Sequence, residues 1–129
     1  MLSQLVFYAV SAIVVLFGVR HAWIARSVPR VKSAEAEKEV HSGQAVFLDV
    51  RTESEWQSEH IKGSIHIPLH TLRRRAEELS RYSNKQIICY CQSGNRSVRA
   101  AHILRTRGLR ASSLEGGIGE WNFFTRLRR

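Results

Sequence analysis

The run Gln86-Ile87-Ile88-Cys89-Tyr90-Cys91-Gln92-Ser93-Gly94-Asn95-Arg96-Ser97 decides how this chain folds. Residues 86–90 are the most apolar of the short runs in the chain and read as a strand buried on both faces. The next residues are small or polar and include Gly94. Residues 97–107 then have a helical composition and are closed by Gly108. A buried strand that feeds a helix through a short polar loop is the unit of a parallel α/β sheet. Such sheets bind ligands at the carboxyl ends of their strands.

The same alternation extends in both directions. Residues 33–42, rich in Ala and Glu, predict a helix that Gly43 ends. Residues 45–50 form a continuous apolar run ending in charge, as a buried parallel strand does. Thr52 and Glu55 have the spacing of a capping box and open a short helix through about residue 59. Residues 64–67 read as a brief strand stopped by Pro68, 71–82 as a helix with charged faces, and 110–114 as a last strand. The fold class expected is α/β with a mainly parallel central sheet, in one domain over 33–129.

The loop after the central strand carries reactive groups. A strand-to-helix turn aims successive backbone N–H groups inward and sets a helix N-terminus beneath them, which makes a nest for an anion. The same field stabilises a thiolate, so Cys91 is the candidate nucleophile, with a depressed pKa. Gly94 supplies the conformational freedom that a tight cradle needs. Arg96 places a positive charge at the rim that suits an oxyanion. Ser93 and Ser97 offer hydroxyl donors, with Ser97 at the helix start.

The chain has only two cysteines, Cys89 and Cys91. They are expected to face away from each other, which leaves two free thiols rather than a disulfide. Cys89, within the strand, reads as a buried structural residue. Two cysteines without a second cluster of ligands make a poor zinc site, and neither a metal nor an organic cofactor is expected.

Twenty basic residues face eleven acidic ones, for a net charge of +9. All the acids and sixteen of the bases follow residue 32, so the domain alone carries about +5. That excess favours anionic substrates or an anionic membrane surface. Basic residues interleaved with aromatics do not occur, and nucleic acid is not an expected partner.

The N-terminus is a different material. Residues 2–19, LSQLVFYAVSAIVVLFGV, contain no charge and would span roughly 27 Å as a helix, close to the ~30 Å hydrocarbon core of a bilayer. Arg20, Arg26, Arg30 and Lys32 follow the segment and no Lys or Arg precedes it. This charge placement argues for a retained anchor over residues 1–24, rather than a cleaved signal, with the domain on the cytoplasmic side. Residues 25–32, with Pro29 at their centre, read as an extended linker.

Three segments resemble the rhodanese family. Asp49-Val50-Arg51, followed by Glu55-Trp56 and by residues 60–68 (HIKGSIHIP), is similar to its first signature. Residues 91–97 look like its active-site loop, with the Cys-x-x-Gly-x-Arg pattern. Residues 114–121 (LEGGIGEW) resemble its C-terminal segment. The motifs occur in the family's order and span most of the domain. The resemblance implies a three-layer fold and a sulfurtransferase needing no cofactor. It assigns Cys91 as the sulfur carrier, places the amides of Gln92, Ser93, Gly94, Asn95 and Arg96 around the bound sulfur or anion, and gives Arg96 a role in donor binding. Donors would be thiosulfate or a persulfide, including one on a protein, and acceptors a thiol or, in assay, cyanide. Asp49 and Arg51 belong to the pattern and are read as structural. His60 and Gly63 are read as a loop contact and a turn, and Trp121 as a cover for the core.

Two rivals define the alternatives. The related phosphatases and arsenate reductases have five residues between the cysteine and the arginine, sized for a tetrahedral phosphate. Here four separate Cys91 from Arg96. A membrane-tethered module that binds without catalysis is the other, and it would not need the cysteine that this chain keeps.

Overall fold

The computed structural model describes residues 1–129. Helix α1 (Leu2–Ser27) leads into the short strand β1 (Arg30–Val31), then α2 (Ser33–His41), β2 (Ala45–Asp49), α3 (Glu53–Ser58) and β3 (Ile65–His66). The second half comprises α4 (Leu69–Arg75), a 3-10 stretch (Ala76–Tyr82), β4 (Gln86–Tyr90), α5 (Asn95–Thr106), β5 (Ala111–Leu114) and α6 (Gly117–Leu127). The five strands form one sheet in the order β1-β5-β4-β2-β3, every pair parallel.

β4 lies at the middle of that order, between β2 and β5, and its side chains alternate between two cores. Ile87 and Cys89 face a cluster with Leu72 of α4 and Val98, Ala101 and Leu104 of α5. Ile88 and Tyr90 face a second cluster with Ala36 of α2, Phe47 of β2 and Ile118 of α6. The domain is therefore three layers, helix on sheet on helix. All four of these β4 residues are fully buried, which explains why this strand reads as an unbroken apolar run; full burial stabilises by about 1.5–3 kcal/mol for each large apolar side chain.

Most expected elements stand within two residues of their observed bounds. The Thr52–Glu55 capping box is present, with Thr52 Oγ1 accepting from the Glu55 amide and the Glu55 carboxylate accepting from Thr52 N–H. The expected helix over 71–82 is instead two pieces, α4 followed by the 3-10 stretch, whose Ala76 and Leu79 are buried under the sheet. The linker expected over 25–32 is not free chain. α1 runs on to Ser27, and Arg30–Val31 pairs with Ser113–Leu114 as an edge strand. Helix α6 was not foreseen beyond its motif, because its glycine-rich start lacks helical composition.

One expectation is overturned. Cys89 and Cys91 do not face opposite sides. Residues two apart on extended chain share a face, and both thiols lie in the same core cluster. Both remain free cysteines.

α1 is the long apolar helix expected from the sequence. Its uncharged 18-residue window is wholly outside the domain core, so it is a candidate membrane span by length and composition. Only its C-terminal end meets the domain, where Ile24 and Val28 pack on the α4–α5 side.

Candidate active site

Parallel pairing brings the chain out of β4 at Tyr90, and Cys91 is the first residue beyond the sheet. The backbone turns through Gly94, at φ +112, before α5 starts at Asn95. A Cβ on Gly94 would meet nothing closer than 3.8 Å, so the need for glycine there is conformational rather than steric.

Cys91 Sγ sits inside this turn. The Gly94 amide donates to it at 3.1 Å, and Ser97 Oγ lies 3.5 Å away. Burial by itself would push the Cys91 thiol up, since the side chain is only 1% exposed. The Ser97 hydroxyl and the amides of Ser97, Gly94 and Ser93 outweigh it, and the pKa falls below that of an ordinary thiol. Cys89 has no such donors. Burial and the neighbouring Cys91 push its thiol far up, the opposite direction to Cys91.

Ser97 is itself held. Its hydroxyl lies 3.1 Å from Gly94 O and 2.7 Å from Ser113 Oγ on β5. With a proton supplied by Ser113, the single Ser97 proton can turn toward the sulfur when the sulfur is charged. Ser113 was not among the expected site residues. It reaches the site through β4–β5 pairing, a neighbourhood that no local motif marks.

The back of the loop rests on α6. Ile118 N–H donates to Cys91 O at 2.9 Å, and Gly119 N–H to Gln92 O at 3.3 Å. Gly117 precedes them at φ +62. A Cβ there would lie 2.4 Å from Cys91 O and 2.6 Å from Gln92 C and O, inside hard contact with backbone. The Gly116-Gly117 pair thus lets the start of α6 close on the loop. Of the amide cradle expected from Gln92 to Arg96, Gly94 donates its N–H to the sulfur and Ser93 lends a backbone contribution to the lowered pKa. Ser97, expected only for its hydroxyl, lends a backbone contribution as well. Gln92 instead turns its carbonyl to this support.

Arg96 stands at the rim but is not a free cation. Its Nη1 and Nη2 donate to the two carboxylate oxygens of Glu55 at 2.7 and 2.9 Å. The guanidinium holds the Glu55 carboxyl down to about 2. Trp56, the next residue of α3, is stacked between His60 and His66, with ring centroids at 3.7 and 4.8 Å. Glu55 was visible in the sequence as a capping residue; its second role on Arg96 was not.

Asp49 and Arg51 form a buried pair, 0% and 3% exposed. Arg51 Nη2 donates to Asp49 Oδ2 at 2.7 Å and to Glu59 O at 2.6 Å, pinning the turn out of β2 to the end of α3. On the other face of β4, Tyr90 Oη accepts from Ile61 N–H at 3.1 Å and pairs with Ser64 Oγ at 3.0 Å, and Trp121 lies edge-on to Phe47.

The domain matches the model of the Rhodanese-like domain over residues 32–123. This chain belongs to the rhodanese-like family. A putative sulfur carrier protein, YrkF of Bacillus subtilis, is 33% identical over 99 residues, covering 75% of this chain and 52% of that protein. A crystallised rhodanese-related protein of Thermoplasma volcanium superimposes with a TM-score of 0.68 at 30% identity, over 74% of this chain and 92% of the other. The thiosulfate sulfurtransferase of Pseudomonas aeruginosa gives a TM-score of 0.71 at 25% identity, over 81% of this chain but 22% of that one. The chain thus spans about half the length of the carrier and under a quarter of the sulfurtransferase. In this rhodanese-like domain the loop at Cys91, the β2 signature and the Gly-Gly segment converge on one end of the sheet.

Proposed function

We propose that the chain is a sulfurtransferase that carries sulfane sulfur as a persulfide on Cys91. The observation that carries the reading is the environment of Cys91 Sγ: a buried thiol with lowered pKa, ringed by amide and hydroxyl donors at the head of α5. In the first half-reaction the Cys91 thiolate attacks the outer sulfur of a donor. With thiosulfate, the S–S bond of the donor breaks, sulfite leaves with the bonding pair, and Cys91–S–S⁻ forms. In the second half-reaction an acceptor thiolate attacks the outer sulfur, the Cys91 S–S bond breaks, and the thiolate returns. A protein or low-molecular-weight persulfide serves equally as donor, and cyanide as an assay acceptor.

The donors that favour the thiolate also suit the terminal sulfur of the persulfide, which keeps the negative charge at the mouth of the loop. Arg96 assists an anionic donor from the rim, with Glu55 fixing its position and offsetting part of its charge. α1 is a single membrane-spanning anchor with the domain on the cytoplasmic side, supported by the uncharged stretch and the basic residues that follow it.

Intact mass of the full chain in detergent after thiosulfate treatment tests the chemistry. The expected result is a gain of one sulfur atom that cyanide or thiol reverses and that Cys91→Ala abolishes. An adduct retained in Cys91→Ala, or absent with thiosulfate and persulfide donors alike, would refute the assignment.

A further inference from the structure

We propose that the cleft between the end of α1 and helices α4 and α5 is a binding site for the phosphate headgroup of an anionic phospholipid. The inference rests on the reading of α1 as a membrane span.

Two adjoining cavities, of about 340 and 280 Å³, open where α1 leaves its apolar stretch and meets the domain. The first is lined by three arginines, Arg20, Arg73 and Arg99, and by three imidazoles, His21, His70 and His102. The second shares His21 and Arg99 with it and adds Arg30 and Arg96. No carboxylate lines either one. Of the five arginines only Arg96 has an ion-pair partner, Glu55; Arg20, Arg30, Arg73 and Arg99 have none. Four arginines drawn from four elements, α1, β1, α4 and α5, converging without a counter-charge, repel one another. An anion in the cleft removes that cost, and arginine forks suit phosphate oxygens.

Depth selects the source of the anion. The uncharged stretch ends at Val19, and the α1 residues lining the first cavity are Arg20, His21 and Ile24. At about 1.5 Å rise per residue these lie within roughly 7 Å of the end of the apolar segment. That is about the thickness of the headgroup layer on one side of a bilayer. Trp23, 64% exposed and edge-on to His102, takes the interfacial place that aromatic residues favour. The remaining wall is aliphatic, from Ile24, Leu69 and Ile103, which suits the glycerol end of a lipid rather than a fully hydrated ion. Basic pockets beside membrane helices on the cytoplasmic side bind such headgroups for these reasons. The second cavity reaches Asn95 and Arg96, so a lipid seated here would lie beside the Cys91 loop.

Native mass spectrometry of the full chain in detergent provides the test, with phosphatidylglycerol and phosphatidylcholine added in turn. The expected result is one retained phosphatidylglycerol, no phosphatidylcholine, and retention weakened roughly tenfold or more in Arg73→Glu/Arg99→Glu. The double variant should keep its sulfur-loading activity in detergent, which shows that it folds. Equal retention of both lipids, or undiminished phosphatidylglycerol on the double variant, would overturn the proposal. Displacement of the lipid by millimolar inorganic phosphate would assign the cleft to a soluble anion and overturn it also. Alkaline carbonate extraction of membranes reports separately on α1: a chain that washes off fails the span reading, whatever the lipid result.

Discussion

Glu55 and Arg96, forty-one residues apart in sequence, meet at the rim of the Cys91 loop through two parallel hydrogen bonds of 2.7 and 2.9 Å. The pair ties α3 to the start of α5, and its acid limb is measurable. The Glu55 pKa is depressed to about 2 from an ordinary value of 4.5. A carboxyl with a lowered folded-state pKa adds stability that is fully present above the unfolded value and lost as pH falls through the folded one. Thermal melts should therefore show part of the acid destabilisation between pH 4.5 and 2 arising here, and Glu55→Gln should flatten that part of the curve. Near neutrality the cost of the substitution is about 1 kcal/mol or less, because both side chains are about a third exposed.

Ser97→Ala removes the hydroxyl beside Cys91 Sγ while leaving the Gly94 amide in place. Since that hydroxyl is a principal cause of the lowered thiol pKa, iodoacetamide alkylation at neutral pH should slow by roughly tenfold. The midpoint of the rate–pH curve should move upward. Cys89, buried and with its pKa raised, should stay unlabelled in the folded protein throughout. Peptide mapping after alkylation distinguishes the two sites.

Gly117→Ala places a methyl 2.4 Å from Cys91 O in a residue already at φ +62. Denaturant melts should show a loss of about 2 kcal/mol or more, with reduced alkylation of Cys91 as its backbone is displaced. Gly63→Ala is the control. It has a similar φ of +81 but open space around the added carbon, so it should cost only about 1 kcal/mol and leave Cys91 unchanged.

Asp49→Ala leaves Arg51 buried without its partner. A loss of about 3–5 kcal/mol is expected, measured by urea unfolding. Asp49→Ala combined with Arg51→Met should recover a large share of it, because the stranded charge, more than the missing attraction, sets the cost. No recovery in the double variant would mean that the contact from Arg51 to Glu59 O is the dominant one.

The parts of this fold that were legible in the sequence are those where local chemistry and tertiary position agree. β4 needed no context, since both of its faces are buried and its composition says so. The capping box at Thr52 and Glu55 is a contact within four residues. The loop from Cys91 to Arg96 was legible because a nucleophile, a glycine and a helix start adjoin one another. What stayed hidden depended on distant partners. β1 is two residues long and is a strand only because β5 lies alongside. α6 begins with glycines that are set by the carbonyls of Cys91 and Gln92, not by helical preference. Arg96 reads in sequence as a lone cation, and its carboxylate partner sits on another helix. Ser113 looks like any strand serine until the sheet brings it to Ser97.

Only Val28 and Pro29 separate the last turn of α1 from strand β1. Val28 is buried, and Pro29 O accepts from Ser113 N–H at 2.9 Å. The domain therefore does not swing on a leash. It stands on a mast stepped directly into the sheet, and the mouth of the Cys91 loop keeps a set height and bearing relative to the axis of α1. A partner that docks at the Cys91 loop must bring its own reach, because this chain has almost none to lend.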